Sequence, residues 1–188
     1  NANKILNRFL WNSERLHHLR LSHIDGGNLR NAIAREAYAI FTIGEKHKDA
    51  FIAFVHQLSQ DIRAEFASVE PGLTIRLEET AVPAFRIDAI CQQNLLNALY
   101  ACPHGVIAMS REIPGFVETS TNLASVRMDT EKAVITTSQR SSVESSKKDV
   151  AYMVSSVFYL IDAEVEHSQG YPGWKPDPDS ALLRITAD

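Results

Sequence analysis

The sequence predicts an α+β fold made of two pseudo-repeated, ferredoxin-like halves. Each half is a ββαβ unit with a preceding helix, its antiparallel sheet backed by helices. Three observations carry that expectation. Stretches with a helical apolar period alternate with stretches of period two along the chain. The order helix-strand-strand-helix-strand occurs twice. The main helix of each half opens on the same pair, Lys48-Asp49 and Lys148-Asp149.

In the first half, Ile5, Leu6, Phe9 and Leu10 share one face of a helix over residues 3–11. Residues 19–24 alternate as a strand, and Asp25-Gly26-Gly27-Asn28 forms a turn. A second strand is expected from Ile33 to Ile43, where Gly44 breaks it. Phe51, Val55, Leu58, Ile62 and Phe66 recur every three or four residues, which predicts a helix over 49–66 stopped by Pro71-Gly72. Leu73, Ile75 and Leu77 then alternate as the closing strand.

The second half repeats this order. Asp88 stands where it would cap a helix running to Ala101. A short strand at 106–109 and a long one at 117–128 follow. Asp129-Thr130-Glu131-Lys132 turns the chain into a strand over 133–139. Val150, Met153, Val154, Val157, Phe158 and Ile161 line a helix over 148–162, and residues 164–169 read as another closing strand.

The two halves span about 1–80 and 85–170, each near the size at which a separate core becomes marginal. Residues 171–188 read as a stiff connector, because three of the seven prolines fall there. The chain starts at Asn1 in a helical pattern and stops at Asp188 in an apolar-periodic one. The expectation is a piece excised from a longer protein.

Composition excludes several classes. With 45% hydrophobic and 22% charged residues in 188, the chain is neither disordered nor fibrous. A net charge of -4 argues against a nucleic-acid partner and against a polybasic membrane anchor. No apolar run approaches the roughly 20 residues of a membrane helix. Residues 1–15 contain Lys4, Arg8, Glu14 and Arg15 and no signal-peptide core. Cys91 and Cys102 read as buried, inert thiols of a reducing, cytoplasmic compartment, although a single bridge between them fits the sequence too.

The seven histidines have no zinc-ligand spacing, so no metal ligand is assigned. No nucleophile elbow, P-loop or dinucleotide motif occurs, and no catalytic residue is assigned. Two polar segments remain. The first runs from Asn28 to Glu36 and centres on Asn31, which either contacts a ligand or satisfies backbone groups at a hairpin entrance. The second is Thr136-Thr137-Ser138-Gln139-Arg140-Ser141-Ser142. A lone guanidinium ending a hydroxyl-rich strand suits a carboxylate, which it grips with two parallel hydrogen bonds. A structural ion pair is the other reading of Arg140.

These segments carry a resemblance. The run Asn1-Ala-Asn-Lys-Ile-Leu-Asn-Arg-Phe-Leu10, then Gly26 to Glu36, Gly115-Phe-Val-Glu-Thr-Ser-Thr-Asn122, the Arg140-Ser141 strand end and Gly170-Tyr-Pro-Gly-Trp-Lys-Pro-Asp177 stand in order with family-like spacing. Together they resemble the aminoacyl-histidine dipeptidases of the M20 metallopeptidase family. The resemblance implies that residues 1–170 are the lid, or dimerisation, domain, and that 171–188 lead back to a catalytic domain outside the chain. That domain is implied to hold two zinc ions, which polarise the peptide carbonyl and activate water. The family's zinc ligands, catalytic carboxylate and active-site histidine are expected outside residues 1–188.

By matched motif, Asn31 resembles the lid asparagine that contacts bound dipeptide. Arg140 resembles the lid arginine that holds the substrate's C-terminal carboxylate. Ala34 departs from the family, where a proline follows Asn-Ala-Ile. The implied partners are a Xaa-His dipeptide, the chain's own catalytic domain and a second copy of the protein. A stand-alone oligomerisation domain or a small-molecule-binding regulatory module is the competing reading.

Overall fold

The computed structural model describes residues 1–173, so most of the expected connector, 174–188, lies outside the described residues. The fold is α+β. In chain order it contains α1 (Ala2–His17), β1 (Arg20–Gly26), β2 (Ala37–Thr42), a 3-10 turn at Glu45–His47, α2 (Lys48–Phe66) and α3 (Ala89–Ala101). Then follow β3 (Gly105–Met109), β4 (Val117–Met128), β5 (Ala133–Ser141) and α4 (Glu144–Tyr159). The sheet pairings of β1 with β2, of β1 with β4 and of β3 with β4 are antiparallel, and β5 also pairs with β4. Backbone contacts divide the chain into two compact units. One is Asn1–Cys102 with Leu123–Thr137; the other is Pro103–Asn122 with the chain from Ser138 onward.

In the first unit, α1 buries a stripe that is largely polar. Asn3, Asn7, Leu10, Ser13 and His17 recur every three or four residues on its inner face. A buried amide is costly unless bonded. Asn3 Nδ2 accordingly donates to the carbonyls of Gly26 and Leu123, and Asn7 Nδ2 to Leu96 at 3.0 Å. Lys4 Nζ donates to the carbonyls of Leu99, Tyr100 and Cys102 at 2.8, 2.7 and 2.9 Å. These bonds satisfy carbonyls at the C-terminal end of α3 that have no helical partner.

His18 closes α1 in the left-handed conformation at φ 56°, with its N–H on Glu14 and that of Leu19 on Ser13. The adjacent histidines diverge as their spacing requires. His17 is buried against the rings of Phe51 and Phe54, while His18 is exposed. Gln92 of α3 ties helix to sheet, accepting from Leu21 N at 2.7 Å and donating to Leu19 O at 2.9 Å. A separate apolar cluster of Phe9, Leu58 and Ile62 joins α1 to α2, flanked by Phe54, Leu73 and Ile75.

In the second unit, β3 pairs with the start of β4, from Gly105 opposite Thr121 to Met109 opposite Val117. Helix α4 buries Val150, Val154, Ser155 and Phe158 at helical spacing. The hydroxyl of Ser155 meets His167 Nε2 at 3.1 Å.

Five expectations need correction, the last of them at Cys91. The strand expected from Ile33 begins only at Ala37; Ile33 is exposed in the loop before it. Helix α4 begins at Glu144, a turn ahead of the expected Lys148. Residues 73–77 and 164–169 are not assigned as strands. The alternation of 73–77 is real, since Leu73 and Ile75 pack on the α1–α2 cluster. Alternation reports one covered face; it does not supply a ladder partner.

Cys91 is exposed rather than buried, and no disulfide joins it to Cys102. Burial raises the Cys102 thiol to about 11. At pH 7 that leaves about one thiolate in ten thousand. A thiol-reagent titration of the native chain should therefore modify Cys91 quickly and Cys102 only as the chain unfolds. Equal rates at both would contradict this packing.

Asp88 caps α3 as expected, its carboxylate accepting from Ile90 N at 2.8 Å and Cys91 N at 3.1 Å. Those two backbone bonds hold the carboxyl below its ordinary value. A group lowered on folding contributes stability that is present above its unfolded pKa. That contribution is lost as pH falls through the lower folded value. Asp88→Ala should therefore lower Tm at neutral pH, and the difference from wild type should close in acid. A constant difference across that range would show that the carboxylate is not the cap.

Candidate functional site

The two sequence-derived site residues fall in different units, and each is built by its own surroundings. Asn31 lies in the loop joining β1 to β2, whose strands register from Arg20 opposite Thr42 to Gly26 opposite Ala37. The loop is tied at its base. Gly27 N donates to Glu36 O at 3.1 Å, and Ala2 N donates to Ala34 O at 3.0 Å. Gly27 has φ 76°, and a Cβ there would collide with the Ala124 carbonyl. Only glycine provides both the conformation and the close approach.

Arg127 reinforces the same base. Its Nη2 donates to Gly27 O at 3.1 Å, and its guanidinium lies 3.7 Å from the Asp25 carboxylate. Above this base, Asn28, Leu29, Arg30, Asn31 and Ile33 are exposed, and a turn bond runs from Ala32 N to Leu29 O at 3.3 Å. The loop thus presents amide, guanidinium and apolar groups from a fixed frame. Ala34, the departure from the family pattern, is buried and keeps its carbonyl on α1. Hydrogen bonding here needs the residue-34 carbonyl, which alanine and proline share.

Arg140 lies next to the end of β5. Gln139 and Ser141 on either side belong to the opposite face of the strand, and Arg140 is exposed. Its neighbours are wired in place. Ser141 Oγ and Thr119 Oγ1 share a 2.8 Å bond, and Val143 N donates to Ser141 Oγ at 3.0 Å. Ser142 N donates to Glu118 O at 3.1 Å, and Gln139 Nε2 to Thr121 Oγ1 at 3.3 Å. The chain then returns to this point from α4. A Cβ on Gly173 would strike the Ser141 carbonyl, and Lys147 Nζ donates to Tyr171 O at 2.8 Å. These bonds hold the backbone on either side of Arg140, at the end of β5, in place.

Sequence reasoning named Asn31 and Arg140, and Ala34 as a departure, but assigned no supporting role to Gly27 and Arg127 near the first or to Ser141 and Gly173 near the second. The Gly-Gly pair and the Tyr-Pro-Gly stretch were the available signals, read there only as turn and connector. Among the described residues, no group of three or more His, Cys, Asp or Glu side chains is placed to hold a metal ion. No helix among them is long and apolar enough to cross a membrane.

Residues 1–70 match the M20 family described as the peptidase dimerisation domain. Over all 188 residues the chain is 34% identical to the cytosol non-specific dipeptidase of Escherichia coli (strain K12), covering 39% of that protein. Its fold matches the crystal structure of the aminoacylhistidine dipeptidase from Vibrio alginolyticus with a TM-score of 0.93 at 36% identity. That match covers 98% of this chain and 38% of the Vibrio chain. The chain therefore spans less than half the length of either relative.

Proposed function

We propose that the chain is the lid and dimerisation domain of a metal-dependent dipeptidase acting on Xaa-His dipeptides. Residues 1–170 form that domain, as two pseudo-repeated halves over about 1–80 and 85–170, and 171–188 lead to the catalytic domain. The observation that supports this reading is similarity along 100% and 98% of this chain to two dipeptidases. Asn31 contacts the bound dipeptide from the β1–β2 loop. Arg140 takes its free C-terminal carboxylate and so selects dipeptides over longer chains, whose carboxylate lies elsewhere. Closure of the domain positions the scissile bond and excludes water.

The two zinc ions of this reading sit in the catalytic domain. The family matched by residues 1–70 supports a homodimer, and the name of the Escherichia relative supports a cytosolic setting.

Two preparations test the reading. The whole protein should hydrolyse Xaa-His dipeptides in a zinc-dependent manner, and the 188-residue chain should not. Zinc-dependent hydrolysis by the chain alone would move the catalytic groups into it and overturn the assignment.

A further inference from the structure

We propose that the first compact unit carries a second, anion-binding site that takes a phosphoryl-bearing small molecule in a cleft lined by His18, Arg20, Lys46, His47 and Arg86. The cleft is open and has a volume of about 650 Å³. It forms where the end of α1, the start of β1, the chain after β2 and residues 82–86 meet. This inference does not rest on the dipeptidase reading, and none of its residues belongs to the Asn31 or Arg140 sites.

Three features converge on an anion. The first is the lining itself. Its charged and titratable side chains are two arginines, one lysine and two histidines, and no carboxylate lines it. That is unexpected in a chain whose net charge is -4. The second is Arg20. Its Nη2 donates to Ile87 O at 3.0 Å, which fixes the guanidinium, while its Nε is buried with no hydrogen-bond partner among the described residues. A buried, fixed and unsatisfied donor is costly unless a ligand completes it.

The third is the entry to α2. Gly44 opens the 3-10 turn without a capping side chain, and His47 makes no side-chain cap at the start of the helix. Gly44, Lys46 and His47 line the cleft, and α2 begins directly after them with Asp49 in its first turn.

The nearby acids are Glu79, Asp88, Glu45 and Asp49, of which Asp88 interacts electrostatically with Arg20. Glu79 is paired with Lys48 at 2.6 Å, and Asp88 is bound to the first amides of α3. Glu45 and Asp49 lie in the first turns of their own helices.

The cleft volume lies within the range of small-molecule sites, about 300–1,000 Å³. Two guanidinium groups and an ammonium match the several oxygens of a phosphoryl group better than a single carboxylate. Ile43, Val82 and Pro83 supply apolar wall for the remainder of the molecule.

Isothermal titration of the full 188-residue chain with inorganic pyrophosphate at low salt tests this. One saturable site per chain is expected. Arg86→Gln and Lys46→Gln, both at exposed positions, should each weaken it about tenfold. Lys132→Gln, an exposed cation on the β4–β5 turn, should leave it unchanged. Circular dichroism checks that each variant is folded, and if one is not, the other decides. Failure to saturate, an equal loss in all three variants, or tighter binding of citrate than of pyrophosphate would overturn the proposal.

Discussion

Replacing Arg140 by alanine in the whole protein should reduce kcat/KM for a Xaa-His dipeptide by roughly 30-fold to several thousand-fold. The range corresponds to about 2–5 kcal/mol, the usual consequence of removing one partner of a buried hydrogen-bonded charge pair, which domain closure over the substrate would make of Arg140. The structural reason to expect a value within it is the support around the residue. Ser141 bonded to Thr119, Ser142 to Glu118 and Gly173 lying against Ser141 leave the strand end little freedom. Arg140→Lys should recover little, because an ammonium cannot make the paired, planar bonds of a guanidinium. Folding should be unaffected, since the side chain is exposed. Unchanged kinetics in Arg140→Ala would make the residue structural and reduce this domain's role to assembly.

The largest effect on stability is expected at Gly27. Alanine there must adopt a left-handed conformation at φ 76° and push its Cβ into the Ala124 carbonyl. The first effect costs about 1–2 kcal/mol, and the steric one about 1–3 kcal/mol more. Such a loss is a large share of the 5–15 kcal/mol that typically holds a domain folded. Urea denaturation of Gly27→Ala should show a lower midpoint with an unchanged m-value. A loss below about 1 kcal/mol, the size of an ordinary substitution, would mean that the loop base does not require this approach. Because Gly27 anchors the loop that presents Asn31, the variant should also raise KM in the whole protein.

How much of this was legible in the sequence depended on what each pattern measures. Helix α2 was readable because its apolar period, its stop at Pro71-Gly72 and its buried face at Phe51, Leu58 and Ile62 all agree. Asp88 was readable because an N-cap is a local bond between a side chain and amides two and three residues on. The inner face of α1 was not, because Asn3 and Asn7 are buried only where distant carbonyls at Gly26, Leu123 and Leu96 meet them. Hydropathy has no access to those partners.

The same limit explains residues 73–77, where alternation was visible and the missing ladder was not. It also explains Cys91, whose exposure depends on which side of α3 faces α1. At the site, family motifs pointed to Asn31 and Arg140 themselves. Their frames are backbone approaches at Gly27 and Gly173, which become visible only when the opposing carbonyls of Ala124 and Ser141 are placed.

The central claim is that Arg140 binds the free carboxylate of a dipeptide. A double-mutant cycle on the whole protein tests it most directly, pairing wild type and Arg140→Ala with a Xaa-His dipeptide and its C-terminal amide. If Arg140 holds the carboxylate, amidation should slow the wild type by the same factor as the mutation slows hydrolysis of the free acid. Amidation should then have little effect on Arg140→Ala. Two independent losses that multiply would contradict the claim, because they would place the carboxylate on some other group.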